Sequence, residues 1–91
     1  MARKSDGKKQ NFFFTAPSAA RVQLVGDFTG WMEAPVEMKK GRQGIWQTSV
    51  TLPPGTHQYR FIVDGQWCDD PNCPTRVPNP YGSEDSVLQV G

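Results

Sequence analysis

Three tryptophans punctuate a chain of 91 residues, and their neighbours sort them. Trp46 heads a run in which Trp46, Thr48, Val50 and Leu52 alternate with Gln47, Ser49 and Thr51, so its indole is expected in a core. Trp31 instead follows Gly26-Asp27-Phe28-Thr29-Gly30, where a strand has ended and glycines let the backbone turn. Trp67 follows the tight turn Asp64-Gly65 and precedes an acidic, Pro-bearing loop, Cys68 to Pro71. A single Trp beside a turn is more often packed than exposed; two in such similar settings point to a surface platform. The chemistry open to that platform is stacking. A pyranose ring offers a face of C–H groups, and an indole laid against it buries apolar area while the hydroxyls stay free at the rim, worth about 1–3 kcal/mol per ring by analogy with base stacking. The hydroxyls then need polar partners. Arg60, on the polar face of the strand leading to Trp67, and Ser83 and Asp85 in the later loop can supply them.

Other chemistries find less support. The acidic pair Asp69-Asp70 invites an acid–base reading, but adjacent residues on an extended chain point apart, so no catalysis is expected. Cys68 and Cys73 are separated by four residues, and the single histidine, His57, lies in a strand pattern; a closed metal site from this chain is not expected, nor is any cofactor. The two thiols either share a loop by chance or close a local disulfide. Residues 1–11 hold Arg3, Lys4, Lys8 and Lys9 against Asp6, about +3, which leaves the remainder about −2 within a net charge of +1. A body without basic excess is a poor nucleic-acid platform, and the tail reads as a solvated, disordered end. No apolar stretch approaches a membrane span, and Phe12 to Phe14 is too short for the core of a secretory signal, so a cytoplasmic location is expected.

The elements that must hold these residues are strands. Phe12 and Phe14 open one, Val22 and Leu24 the next; His57, Tyr59, Phe61 and Val63 alternate with Gln58, Arg60, Ile62 and Asp64; Val87, Leu88 and Val90 close the chain. Turn signals separate them: Ala16-Pro17-Ser18, Lys40-Gly41-Arg42, Pro53-Pro54-Gly55, Asp64-Gly65 and the Pro-rich segment 71–82. Helical spacing is sustained nowhere, with only a hint of a helical turn over 83–86. Short strands at near-regular spacing in a chain with room for one modest core predict an all-β, two-sheet antiparallel sandwich over residues 12–91.

The order of several motifs makes the sequence recognisable. Phe12-Phe13-Phe14-Thr15-Ala16-Pro17, Val22-Gln23-Leu24-Val25-Gly26-Asp27-Phe28 with Trp31, Gly44-Ile45-Trp46, Leu52-Pro53-Pro54-Gly55, Tyr59 to Trp67, Asp70-Pro71 and Asn79-Pro80-Tyr81-Gly82 closely resemble carbohydrate-binding module family 48. The resemblance covers essentially everything after the tail and implies an immunoglobulin-like, early-set sandwich. It further implies non-catalytic binding of an α-1,4-linked glucan: glycogen, starch or a maltooligosaccharide. Members attached to hydrolases or transferases keep their chemistry in a separate barrel. The family's two sugar-stacking tryptophans match Trp31 and Trp67, and its basic contact in Tyr-Lys/Arg-Phe matches Arg60. The bulky residue before the late glycine matches Tyr81, and the hydroxyl after that glycine matches Ser83. The next polar contact is Asn in the kinase β subunits and Asp85 here, a side chain that accepts from a hydroxyl but cannot donate. A second expectation of the same lineage is a regulatory adaptor that docks on a kinase, a phosphatase or a glucan-metabolising enzyme and binds sugar weakly or not at all.

Overall fold

The computed structural model describes residues 7–73, 75–79 and 84–90, and among these the alternating runs and a few shorter segments form nine strands. They are β1 (Lys8–Thr15), β2 (Val22–Gly26), β3 (Val36–Glu37), β4 (Lys39–Lys40), β5 (Ile45–Leu52), β6 (Gly55–Val63), β7 (Gln66–Cys68), β8 (Arg76–Pro78) and β9 (Glu84–Val90). One sheet runs β1-β5-β4 and the other β3-β2-β6-β9-β8, with β7 added to β6. Every pairing is antiparallel. The two sheets form the antiparallel sandwich that the alternation and the turn spacing predict, consistent with the immunoglobulin-like kind that the resemblance implies. Among the described residues, no helix is long and apolar enough to cross a membrane.

The core lies between the sheets and is built from the predicted faces. Phe12, Val22, Leu24, Met38, Trp46, Leu52, Tyr59, Phe61 and Val90 form it, with Phe14, Phe28, Val63 and Cys68 packed against its edge. Phe12 meets the Tyr59 ring edge-on at 5.1 Å, and Phe14 lies 4.9 Å from Phe61. Each large apolar side chain so buried contributes about 1.5–3 kcal/mol. Trp46 is core, as its strand pattern requires, and its indole N–H donates to the Ala16 carbonyl at 2.9 Å, which pins the turn after β1. The Asp64-Gly65 hairpin also forms as read, with φ of 49° and 85° at its two central residues.

Three differences from the sequence reading have physical causes. First, β1 begins at Lys8, so residues 8–11, expected in the tail, pair with Leu52 to Ser49. Backbone hydrogen bonds to a long partner strand extend it where no apolar period is present. Second, the hint of a helical turn over 83–86 gives way to strand from Glu84 onward, because Glu84, Asp85 and Ser86 pair with Pro78, Val77 and Arg76 of β8. Third, β3, β4 and β8 are too short to show a period. The edge of β3 is held by side chains: Arg21 donates to Glu37 at 2.9 and 2.5 Å, and that hydrogen bond keeps the Glu37 carboxyl below its usual pKa.

Candidate carbohydrate-binding site

Register decides which way the site faces. In an antiparallel ladder, residues directly opposite each other share a face. Val25 pairs with Arg60 and Ile62 with Trp67, so these four side chains stand on the outer face of the larger sheet, away from the main core. Val25 and Ile62 are nevertheless buried, outside the core cluster, and form an apolar floor on that face. Trp67 is 44% exposed. Arg60 sits at a joint: β9 pairs with β6 up to Tyr59, β7 pairs with it from Phe61, and both lie on the side of β6 away from β2.

Trp31 reaches the same face by a tightly specified turn. After β2 the chain makes a 3-10 turn at Asp27–Thr29, then Gly30 and Trp31 follow with φ of 64° and 58°. A bulky residue in the left-handed region costs about 1–2 kcal/mol, so the surroundings must fix it. The Thr29 hydroxyl does much of that: it accepts from the Gly26 N–H at 3.0 Å and lies 3.0 and 2.9 Å from the carbonyls of Gly26 and Trp31. Asp27 ties the turn to β6, its carboxylate accepting from the Gln58 N–H at 3.0 Å. Gly26 is required by space, since a Cβ there would lie 2.5 Å from the Gln58 carbonyl oxygen. The result is a partly buried Trp31 whose ring centroid is 6.4 Å from that of Trp67, with 41° between the planes.

The polar residues divide between this platform and the scaffold beneath it. The Arg60 guanidinium carbon lies 5.5 Å from the Trp67 ring centre, within cation–π range, and Nη2 is 3.0 Å from Asp69 Oδ1. Asp70 faces the other way. It accepts from the Tyr59 hydroxyl at 2.6 Å and from the Asn72 N–H at 2.9 Å, and its carbonyl accepts from the Cys73 N–H at 3.2 Å. Burial, then the Asp70 hydrogen bond, pushes the Tyr59 hydroxyl well above its ordinary pKa. The neighbouring carboxylates therefore point apart, one to the outer face and one toward the core, and do not converge as an acid–base pair.

Of the expected sugar contacts, Trp31, Trp67 and Arg60 are brought together. Asp85 is buried, and its carboxylate accepts from the Asn79 side-chain N–H at 2.9 Å. Tyr81 and Ser83 lie outside the described residues. Two further residues, Met32 and Asp69, were not among the expected sugar contacts. Met32, 55% exposed, follows Trp31 in a second 3-10 turn and carries no polar signature. Asp69 was visible only as half of an acidic pair. Cys68 and Cys73 are free thiols, and among the described residues no group of His, Cys, Asp and Glu is placed to hold a metal ion.

Known proteins share both sequence and fold with this chain. It is 46% identical over 73 residues to Protein PTST homolog 2, chloroplastic, of Arabidopsis thaliana, a match covering 80% of this chain and 13% of that protein. It is 38% identical over 69 residues to 5'-AMP-activated protein kinase subunit beta-1 of Rattus norvegicus, covering 76% of this chain and 24% of the subunit. This chain thus spans less than a quarter of the length of either relative. Among solved structures, the enterobactin esterase FES from Shigella flexneri superposes with a TM-score of 0.77 over 99% of this chain and 31% of the esterase. At 17% identity that likeness speaks for the fold alone. Residues 10–91 match the family described as the glycogen recognition site of AMP-activated protein kinase, and the chain belongs to that family.

Proposed function

We propose that this chain is a non-catalytic module that binds an α-1,4-linked glucan on the outer face of its larger sheet, with Trp31 and Trp67 as the stacking platform and Arg60 at its rim. The observation that carries the reading is the tilt of the two indoles, 41° at 6.4 Å. Coplanar aromatics suit a flat, ribbon-like polysaccharide. Two planes meeting at an angle suit a curved chain, and α-1,4 linkage makes a glucan curve. Tyr81 and Ser83 complete the contact set by family resemblance. Asp85 serves it indirectly, since its carboxylate is already engaged by Asn79.

The test is a tryptophan-fluorescence titration with maltoheptaose, run beside retention on immobilised amylose. A saturable change below millimolar sugar is expected; silence at millimolar concentration, about −4 kcal/mol of binding, removes the proposal. A second reading, docking on a kinase or a glucan-metabolising enzyme, is favoured by Phe13. Its ring is 48% exposed on the smaller sheet, opposite Gln47, over a groove of about 290 Å³. The two roles use opposite faces and are compatible in one molecule. The cytoplasmic location read from the sequence is kept as part of this proposal, and the chloroplastic name of the Arabidopsis relative sets the chloroplast beside it as the alternative.

A further inference from the structure

Arg60 places a cation at the rim of a site whose ligand is neutral. A guanidinium can donate to sugar hydroxyls, but it is far better matched to phosphate, which it grips through paired, charge-assisted hydrogen bonds. Glucan chains can carry phosphate monoesters on their hydroxyls, so a bare arginine beside two stacking rings would favour the phosphorylated polymer.

The geometry around Arg60 opposes that outcome. Asp69 Oδ1 lies 3.0 Å from Nη2, and the two side chains are 12% and 37% exposed, the arginine held close to the sheet and the carboxylate turned partly to solvent. The guanidinium also lies over the Trp67 ring, 5.5 Å from its centre, so the ion pair is formed against the indole on which sugar would stack. A phosphate approaching Arg60 from this rim meets a carboxylate that already neutralises the cation. It must either displace Asp69 or lie beside it, and both are unfavourable for a dianion. A hydroxyl meets no such barrier: it can donate to Asp69 or accept from Arg60.

We propose that Asp69 is a specificity-determining residue, which cancels the charge of Arg60 at the edge of the Trp31–Trp67 platform and so selects uncharged α-glucan over glucan bearing phosphate monoesters. The inference rests on the glucan-binding reading above. It uses repulsion of the wrong ligand as well as attraction of the right one.

The experiment compares maltoheptaose with maltoheptaose 6-phosphate by fluorescence titration of the wild-type chain, Asp69→Asn, Asp69→Glu and the double variant Asp69→Asn/Arg60→Gln, at low and high salt. The readout is the ratio of the two affinities for each protein. Wild type should favour the neutral sugar by roughly five- to tenfold, the scale of one unit charge at contact distance in fully water-screened surroundings. Asp69→Asn should close or invert that ratio at low salt and lose the gain at high salt. Asp69→Glu should keep the wild-type preference, and the double variant should lose the gain for phosphate. Melting curves establish that each protein is folded, with Asp69→Ser replacing Asp69→Asn if the latter is not. An unchanged ratio in the Asn or Ser variant, a gain that survives loss of Arg60, or a wild type indifferent to phosphate each overturns the proposal. A wild type that binds neither sugar overturns the glucan reading itself, and the neutral titration alone separates that failure from the others.

Discussion

Cutting an indole back to a methyl group has opposite consequences at positions 46 and 67. Trp46 is 6% exposed and its N–H is one of two donors to the Ala16 carbonyl, the other being the Ala19 N–H, so Trp46→Ala leaves a cavity and removes one of those hydrogen bonds and should cost about 3–5 kcal/mol in denaturant unfolding. Trp67 is 44% exposed. Trp67→Ala should leave the melting temperature nearly unchanged while abolishing the maltoheptaose response. Trp31→Ala falls between them: the sugar response should be lost, and because this ring is partly buried a modest drop in melting temperature is also expected. Unfolding on loss of Trp31 would mean that its ring belongs to the core and the platform is a single indole.

The turn from β2 to Trp31 is the element on which the site depends most. Thr29→Val keeps the shape of the side chain and removes its hydroxyl, leaving the Gly26 N–H without its partner in a buried setting. A loss of about 1–3 kcal/mol in stability should follow, together with weaker maltoheptaose binding, because Trp31 is no longer held in its left-handed conformation. Wild-type affinity in that variant would show that the turn holds its shape without the hydroxyl. This element also marks where the sequence stops being legible. Gly26, Gly30 and the end of the β2 pattern announce a turn, but nothing in the residue types announces positive φ at Trp31 itself. By contrast β5 could be read residue by residue, since it alternates from Trp46 to Leu52 against one core, and β6 from Tyr59 to Phe61, before the buried Ile62 breaks the pattern. The parity of β6 also placed Arg60 outward before any register was known. The ion pair with Asp69 was not legible, because it joins a strand to a loop across the β6–β7 hairpin, where no period applies. Burial of Asp85 escaped for a similar reason: it depends on Asn79, six residues away across the β8–β9 connection.

At the scale of the whole molecule, the hydroxyl of Tyr59 links the core to the loop beneath the site and makes stability depend on alkaline pH. Unfolded, a tyrosine ionises near pH 10; folded, Tyr59 keeps its proton to higher pH because it is buried and donates to Asp70. Its contribution is therefore fully present below pH 10. Above that, the unfolded chain has released a proton that the folded chain retains, so stability falls as pH rises, by at most about 1.4 kcal/mol per pH unit. The melting temperature of wild type should drop more steeply between about pH 10 and 11.5 than that of Tyr59→Phe, which starts lower but lacks this titration; parallel curves would count against the buried hydrogen bond.

The change of partner along β6 has a consequence for the time scale of the site. Trp67 rides on β7, a three-residue strand paired to β6 from Phe61 to Val63 and joined to it by a two-residue turn, while β9 holds β6 from Gly55 to Tyr59. A hairpin arm this short can open without parting the two sheets, at a free energy below that of global unfolding. Amide protons of Gln66 to Cys68 should then exchange with solvent faster than those of β6 and β9. A glucan that bridges Trp67 to Trp31 closes this arm onto the better-anchored turn after β2, so its binding is read out as slower exchange in β7.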